Sequence, residues 1–208
     1  MNKSSYTRIG ILGGSFNPVH IGHLLLAQNA LENFELDKVL FMPCHIQPLK
    51  DPLMLASPEH RVAMIEQAVI DNIQFELLDI EIARGGTSYA IDSVKKIRQL
   101  FPGAELFFII GGDTLNELHQ WREIYELLKL CRFVTLSRPG QDVSDFTAEK
   151  LNLDPPWPAV ILDSVAHGRL IDISSSDIRH RVAEGMSIRY LVPSLVEMYI
   201  AEHNLYKN

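Results

Sequence analysis

The chain has 208 residues, with 19 Lys plus Arg against 26 Asp plus Glu, a formal charge of −7, and 47% hydrophobic against 22% charged residues. This length predicts one domain, residues 1–208, able to bury about 70% of its surface, and the composition excludes a disordered chain. The negative charge excludes an affinity built on counterion release from nucleic acid, and the apolar runs are too short to span a bilayer, so neither nucleic acid nor a membrane is an expected partner.

In chain order, the opening Met1–Leu12 carries Lys3 and Arg8 but only a short apolar stretch, which excludes the h-region of a signal peptide. Arg8–Leu12 predicts the first strand and Ile21–Phe34 the first helix. Strand Lys38–Met42, helix Pro58–Asp71, strand Phe75–Ile82, helix Tyr89–Leu100, strand Glu105–Ile110 and helix Ile124–Leu130 follow. The series continues with strands Arg132–Leu136 and Ala159–Leu162, separated by a Pro-rich loop, and closes with helices Ser176–Ala183 and Ser194–His203. Strands alternating with helices predict an α/β fold: a doubly wound, Rossmann-like parallel sheet flanked by helices, with its ligand beyond the carboxyl ends of the strands. Cys44 and Cys131 lack metal-ligand or CxxC spacing and predict reduced thiols in a cytoplasmic protein.

The loop after the first strand is the most informative segment. Gly13-Gly14-Ser15-Phe16-Asn17-Pro18-Val19-His20-Ile21-Gly22-His23 combines two glycines, which let backbone approach a ligand, with a helix whose N-terminus favours anions. His20 and His23 lie three apart on the first turn, so both rings can face one guest, and phosphate is the expected one. No lysine completes a Walker A loop, and Gly10, Gly13 and Gly14 are wrongly spaced for GxGxxG. A third ligand for a histidine-bound metal is missing. Near the C-terminus, Ile173-Ser174-Ser175-Ser176-Asp177-Ile178-Arg179 places hydroxyl and backbone donors at a helix start and a guanidinium on its first turn. Between them, strand Phe107–Ile110 ends in Gly111-Gly112-Asp113, a carboxylate suited to a ribose or to a helix cap. A serine hydrolase is excluded by the lack of GxSxG.

GGSFNPVHIGH resembles the HxGH loop of the nucleotidylyltransferase superfamily, and ISSSDIR resembles its ISSTxxR signature with Ser176 in place of threonine. From Arg8 to Tyr206 the chain is similar to bacterial nicotinate-mononucleotide adenylyltransferases, through Met42-Pro43 to Lys50, His60-Arg61 with Met64, Ser88-Tyr89 with Asp92, Trp121, Arg138-Pro139-Gly140 and the closing Asn204-Leu205-Tyr206. The resemblance implies adenylyl transfer from ATP to nicotinate mononucleotide, giving deamido-NAD and pyrophosphate, with Mg²⁺ carried mainly on the ATP phosphates and no protein metal ligands. It implies His20, His23 and Arg179 as catalytic residues. ATP would be bound by Gly13, Gly14, Ser15, Phe16, Gly22, His23, Gly111, Asp113, Ile173, Ser174, Ser175, Ser176 and Arg179, and the acceptor by Asn17, Lys50, Tyr89, Ala90, Trp121 and Arg138.

Physically, Lys50 offers a compact charge to a monophosphate, Trp121 a flat face to a pyridine ring, and Arg138 a cation beyond a strand end. Two positions depart from the family: Gln47-Pro48-Leu49-Lys50 stands where Pro-Pro-His-Lys is common, and Ser88-Tyr89-Ala90 where Ser-Tyr-Thr is common. Backbone N–H groups around Tyr89 and Ala90 could still bind a pyridine carboxylate, while the missing hydroxyl leaves nicotinamide mononucleotide open as the acceptor. The shared ATP motifs are also compatible with phosphopantetheine as the acceptor, and with an ATP-sensing module that performs no transfer.

Overall fold

The computed structural model describes residues 6–48, 55–137, 147–169 and 171–207. Six strands, β1 (Arg8–Gly14), β2 (Lys38–Pro43), β3 (Phe75–Leu77), β4 (Glu105–Gly111), β5 (Arg132–Ser137) and β6 (Val165–His167), form one parallel sheet in the order β3-β2-β1-β4-β5-β6. The central strands are almost continuous apolar runs because helices cover both of their faces. Along β4 the alternation sorts Leu106, Phe108 and Ile110 into one core layer and Phe107 and Ile109 into the other.

The first layer is closed by α4 (Ala90–Leu100) and α6 (Ile124–Leu130), which bury Ile91, Val94, Ile97 and Leu127. The opposite layer is closed by α1 (Ile21–Asn33), α2 (Pro58–Val69), α9 (Ser175–Ala183) and α10 (Ser194–Glu202), through Ala27, Ala30, Met64, Ile65, Ile178 and Val196. Strand order reverses between β1 and β4, which pair directly from Arg8↔Glu105 to Leu12↔Ile109. Their carboxyl ends, Gly13-Gly14 and Gly111, border the crevice where such sheets bind ligands. Among the described residues no helix is long and apolar enough to cross a membrane.

Two predicted strands are corrected. Ala159–Leu162 is not a strand but the end of helix α8 (Trp157–Leu162), and the sheet gains its last strand three residues later as β6. Pro158 in the first turn starts that helix, and a short apolar run carries no period to separate helix from strand. Phe75–Ile82 splits as well. β3 stops at Leu77, Leu78 N–H still donates to Phe41 C=O at 2.9 Å, and the chain then turns into α3 (Ile80–Arg84), which carries Glu81 inward. The Pro-rich segment before α8 also contains a one-turn helix, α7 (Ala148–Leu151). Cys44 and Cys131 are both free and buried, and burial pushes the Cys131 thiol up to about 12.

Candidate active site

The turn from β1 into α1 builds the first wall of the crevice. Phe16 adopts a left-handed φ of 47°, which turns its ring out of the loop and into the core, edge-on to His23 at 4.9 Å and against Phe41 at 5.9 Å. Phe16 therefore supports the loop from below, its side chain buried and absent from the lining of the crevice. His20 caps α1 with extended backbone: its N–H donates to His23 Nδ1 at 3.2 Å, and its carbonyl accepts the His23 N–H at 2.9 Å. The two imidazoles stack at 3.7 Å between centroids with 25° between planes, so the predicted pair is brought together as a single surface.

Gly22 makes that stacking possible. A Cβ there would meet His20 Nδ1 at 3.0 Å and Cε1 at 3.1 Å, which would force the ring to move.

The second predicted motif closes against the first. Ser174 caps α9, accepting the Asp177 N–H at 3.1 Å. Ser175 donates its hydroxyl to Pro18 C=O at 2.9 Å, and Arg179 donates one Nη to Asn17 C=O at 2.8 Å and the other to Ser176 Oγ at 3.2 Å. Arg179 Nε is buried and has no partner among the described residues, an N–H donor suited to an anion. These contacts join segments 157 and 162 residues apart into one face.

Between the faces lies a cleft of about 920 Å³, at the upper end of the range for small-molecule sites. It runs from Gly13, Gly14, Ser15, His20, Gly22 and His23 across Gly111 to Ile173, Ser174, Ser175, Ser176 and Arg179. Its other end is lined by Gln47, Glu81, Ser88, Tyr89, Ala90, Trp121 and Arg122. Trp121 stands edge-on to Phe108 at 5.6 Å and Phe133 at 5.8 Å, which fixes its plane at the cleft. Tyr89 is the N-cap of α4, and Ala90 opens that helix. Asp113 sits in the short helix α5 (Gly112–Leu115) directly after β4. Lys50 and Arg138 lie outside the described residues.

A smaller depression of about 510 Å³ opens at the amino ends of β4 and β5 and contains none of the predicted site residues. Its cations are already engaged, Arg98 by Leu130 C=O at 2.6 Å and Arg132 by Ser164 Oγ at 2.7 Å.

Asn17 is a predicted acceptor contact, but the structure also gives it a framework role. Its Oδ1 accepts the Ala56 N–H at 3.0 Å and the Tyr206 hydroxyl at 2.8 Å. Sequence reasoning gave no site role to two residues that shape the site, although Arg61 was among those that carry the resemblance. Arg61, 1% exposed, donates to the carbonyls of Ser15 at 2.9 Å, Cys44 at 2.6 Å, His45 at 3.2 Å and Ala56 at 3.1 Å, tying the loops after β1 and β2 together. Its spacing to Met64 and Ile65 on one helical face was the available signal. Glu81, 3% exposed, accepts the Ser93 hydroxyl, and Ser88 Oγ accepts the His45 N–H at 2.9 Å. Burial pushes the Glu81 carboxyl up, against the opposing hydrogen bonds of Ser93 and Ser88 and the Arg84 charge.

The polar groups that converge on the end lined by His20, His23 and Arg179 are imidazole, hydroxyl, guanidinium and backbone N–H, a set that fits phosphate oxygens. Among the described residues no three His, Cys, Asp or Glu side chains come together to hold a metal. The donor set named above fits a Mg²⁺ ion that arrives already held by phosphate oxygens.

A family model described as Cytidylyltransferase-like matches residues 11–181. A protein of Opitutus terrae named "Probable nicotinate-nucleotide adenylyltransferase" is 44% identical over 200 residues, covering 96% of this chain and 98% of its own. A protein of Desulfitobacterium hafniense with the same name is 44% identical over 202 residues, covering 96% of each chain. The solved nicotinic acid mononucleotide adenylyltransferase of Plasmodium falciparum, complexed with NaAD, shares the fold with a TM-score of 0.73 at 21% identity, over 97% of this chain and 98% of its own.

Proposed function

The chain belongs to the cytidylyltransferase-like family, among the nicotinate-nucleotide adenylyltransferases, and from that premise we propose how residues 1–208 work as one unit to transfer the adenylyl group of ATP to nicotinate mononucleotide. The products are nicotinate adenine dinucleotide and pyrophosphate, and the enzyme is a nucleotidyltransferase of NAD biosynthesis. The observation that carries the reading is the closure of the two phosphate motifs on each other, Arg179 to Asn17 C=O at 2.8 Å and Ser175 to Pro18 C=O at 2.9 Å, around one cleft.

A phosphate oxygen of the acceptor attacks the α-phosphorus in line. The bond from that phosphorus to the bridging oxygen breaks, and pyrophosphate leaves with its electron pair. Such transfers are catalysed by positioning and charge stabilisation, with no protein nucleophile. His23 accepts the His20 N–H at Nδ1, so its neutral ring carries the proton on Nε2, as a donor to a phosphate oxygen. His20 stacks beside it and stabilises developing charge, while Ser174, Ser175, Ser176 and Arg179 receive the departing pyrophosphate. Bound Mg²⁺ supplies neutralisation of phosphate charge. Trp121 stacks on the pyridine ring and the backbone at Tyr89 and Ala90 receives its substituent, while the ribose role of Asp113, the phosphate role of Lys50 and the phosphate or carboxylate role of Arg138 rest on the sequence resemblance alone. Two buried thiols with no disulfide suit a reducing cytoplasm.

Pyrophosphate release from Mg²⁺-ATP tests this, with nicotinate mononucleotide, nicotinamide mononucleotide and phosphopantetheine compared by kcat/KM. A clear preference for the first is expected. ATP binding without release under any of the three would defeat the enzymatic reading.

A further inference from the structure

The pyridine end of the cleft carries a positive charge that the reaction above leaves unused. Arg122 follows Trp121 directly and lines the same cleft. Its guanidinium lies over the Tyr89 ring, 4.7 Å from the centroid. Its carboxylate neighbours are Asp92 at 4.0 Å and Glu123 at 3.7 Å, both beyond hydrogen-bond reach. Glu123 is drawn the other way as well, by Lys95 at 3.2 Å. Among the described residues, then, Arg122 is positioned by a ring face and two loose ion pairs, while its N–H groups donate to none of them.

Tyr89, the ring beneath Arg122, is also the N-cap of the helix that Ala90 opens. The guanidinium is therefore tied to the side of the cleft where the pyridine substituent is received. We propose that Arg122 is the specificity-determining residue for the acceptor: its guanidinium attracts the carboxylate of nicotinate mononucleotide and distinguishes it from the neutral carboxamide of nicotinamide mononucleotide. A planar fork of donors matches a carboxylate, and the cation restores polarity that a hydroxyl-free Ala90 lacks. This inference rests on assigning the Tyr89–Trp121 end of the cleft to the pyridine. The competing explanation is a solvated loop cation that neutralises Asp92 and Glu123. That role would affect both acceptors alike.

The test compares kcat/KM for the two mononucleotides in the wild type, Arg122→Gln and Arg122→Lys, with thermal unfolding as a check on the fold. The wild type is expected to favour nicotinate. In Arg122→Gln the nicotinate value should fall about tenfold, mainly through KM, the lower end for a hydrogen bond to a charged group because the site is half-exposed. The nicotinamide value should fall less than about twofold, since an amide forms no ion pair with the lost charge. Arg122→Lys should keep part of the preference. Equal losses with both acceptors, or an unchanged ratio in Arg122→Gln, would overturn the proposal and leave the reaction assignment standing. A wild type that prefers the amide, or uses neither acceptor, would overturn the acceptor assignment and this proposal with it, before any variant is examined.

Discussion

The hydroxyl of Tyr206 donates to Oδ1 of Asn17 at 2.8 Å, so the C-terminal tail is fastened to the loop that carries His20 and His23. Burial raises the pKa of that hydroxyl, outweighing the opposing charges of Arg179 and Arg61, and keeps it a donor. The same Asn17 offers its carbonyl to Arg179, so the residue links the tail, the turn after β1 and helix α9. Tyr206→Phe removes only the donor. It is expected to cost about 1 kcal/mol of stability, the net worth of one buried hydrogen bond, and to lower kcat several-fold, read by thermal melts and steady-state kinetics. An unchanged kcat would show that the tail fixes the fold and not the loop.

His20→Ala removes one half of the imidazole stack and keeps the backbone N–H that holds His23. Deleting one preorganised donor to developing charge costs about 10²–10³ in turnover, or about 3–4 kcal/mol. The expected result is a loss of that size in kcat with little change in unfolding midpoint. Near-wild-type turnover in a folded variant would remove His20 from the reaction.

Arg61→Met keeps the volume of a buried side chain but leaves four carbonyls without their donor. A loss of about 3–5 kcal/mol is expected, the size seen when one partner of a buried charged network is deleted. For a chain of this length that is a fall in Tm of at least about 6 °C, with KM raised for both substrates in assays below the new midpoint. Arg61→Lys should recover only part, because a single ammonium cannot reach carbonyls on two loops at once.

Asp37 gives the stability curve an acidic limb. Burial alone would raise its pKa, but the N–H groups of Arg8 and Thr7, the Thr7 hydroxyl and the Arg8 charge together bring it below 3.8. A carboxyl lowered in the folded state stabilises above its unfolded pKa, and this contribution is lost as pH falls through the native value. Asp37→Asn should therefore lower the urea midpoint at pH 7, by the equivalent of about 0.5–1 kcal/mol for this exposed group. The gap from wild type should close as pH drops past 3.8. A gap that persists at lower pH would mean that the amide disturbs packing.

The sheet and the two motifs that meet at the cleft were legible because each rests on neighbouring residues. GGSFNPVHIGH and ISSSDIR place their donors within a turn or two, and the apolar runs of β1, β2, β4 and β5 are too continuous to be amphipathic helices. Where local pattern was ambiguous, the reading failed. Ala159–Leu162 satisfies strand and helix alike until Pro158 is seen to open the turn, and Phe75–Ile82 hides the point where Asp79 begins a helix. The framework of the site was illegible for a different reason. Arg61 ties together carbonyls as far as 46 residues away, and Tyr206 meets Asn17 across 189, so no short window of sequence contains either relationship whole. Phe16 shows the limit within a motif, since its place in the loop was evident and its left-handed turn into the core was not.

The four carbonyls gathered by Arg61 come from the turn after β1 and from the chain between β2 and α2. One guanidinium thus sets the spacing between these two segments as the chain folds. The alignment of an attacking oxygen with a phosphorus normally costs motional freedom at the moment of encounter. In the reaction proposed above, much of that ordering is completed during folding.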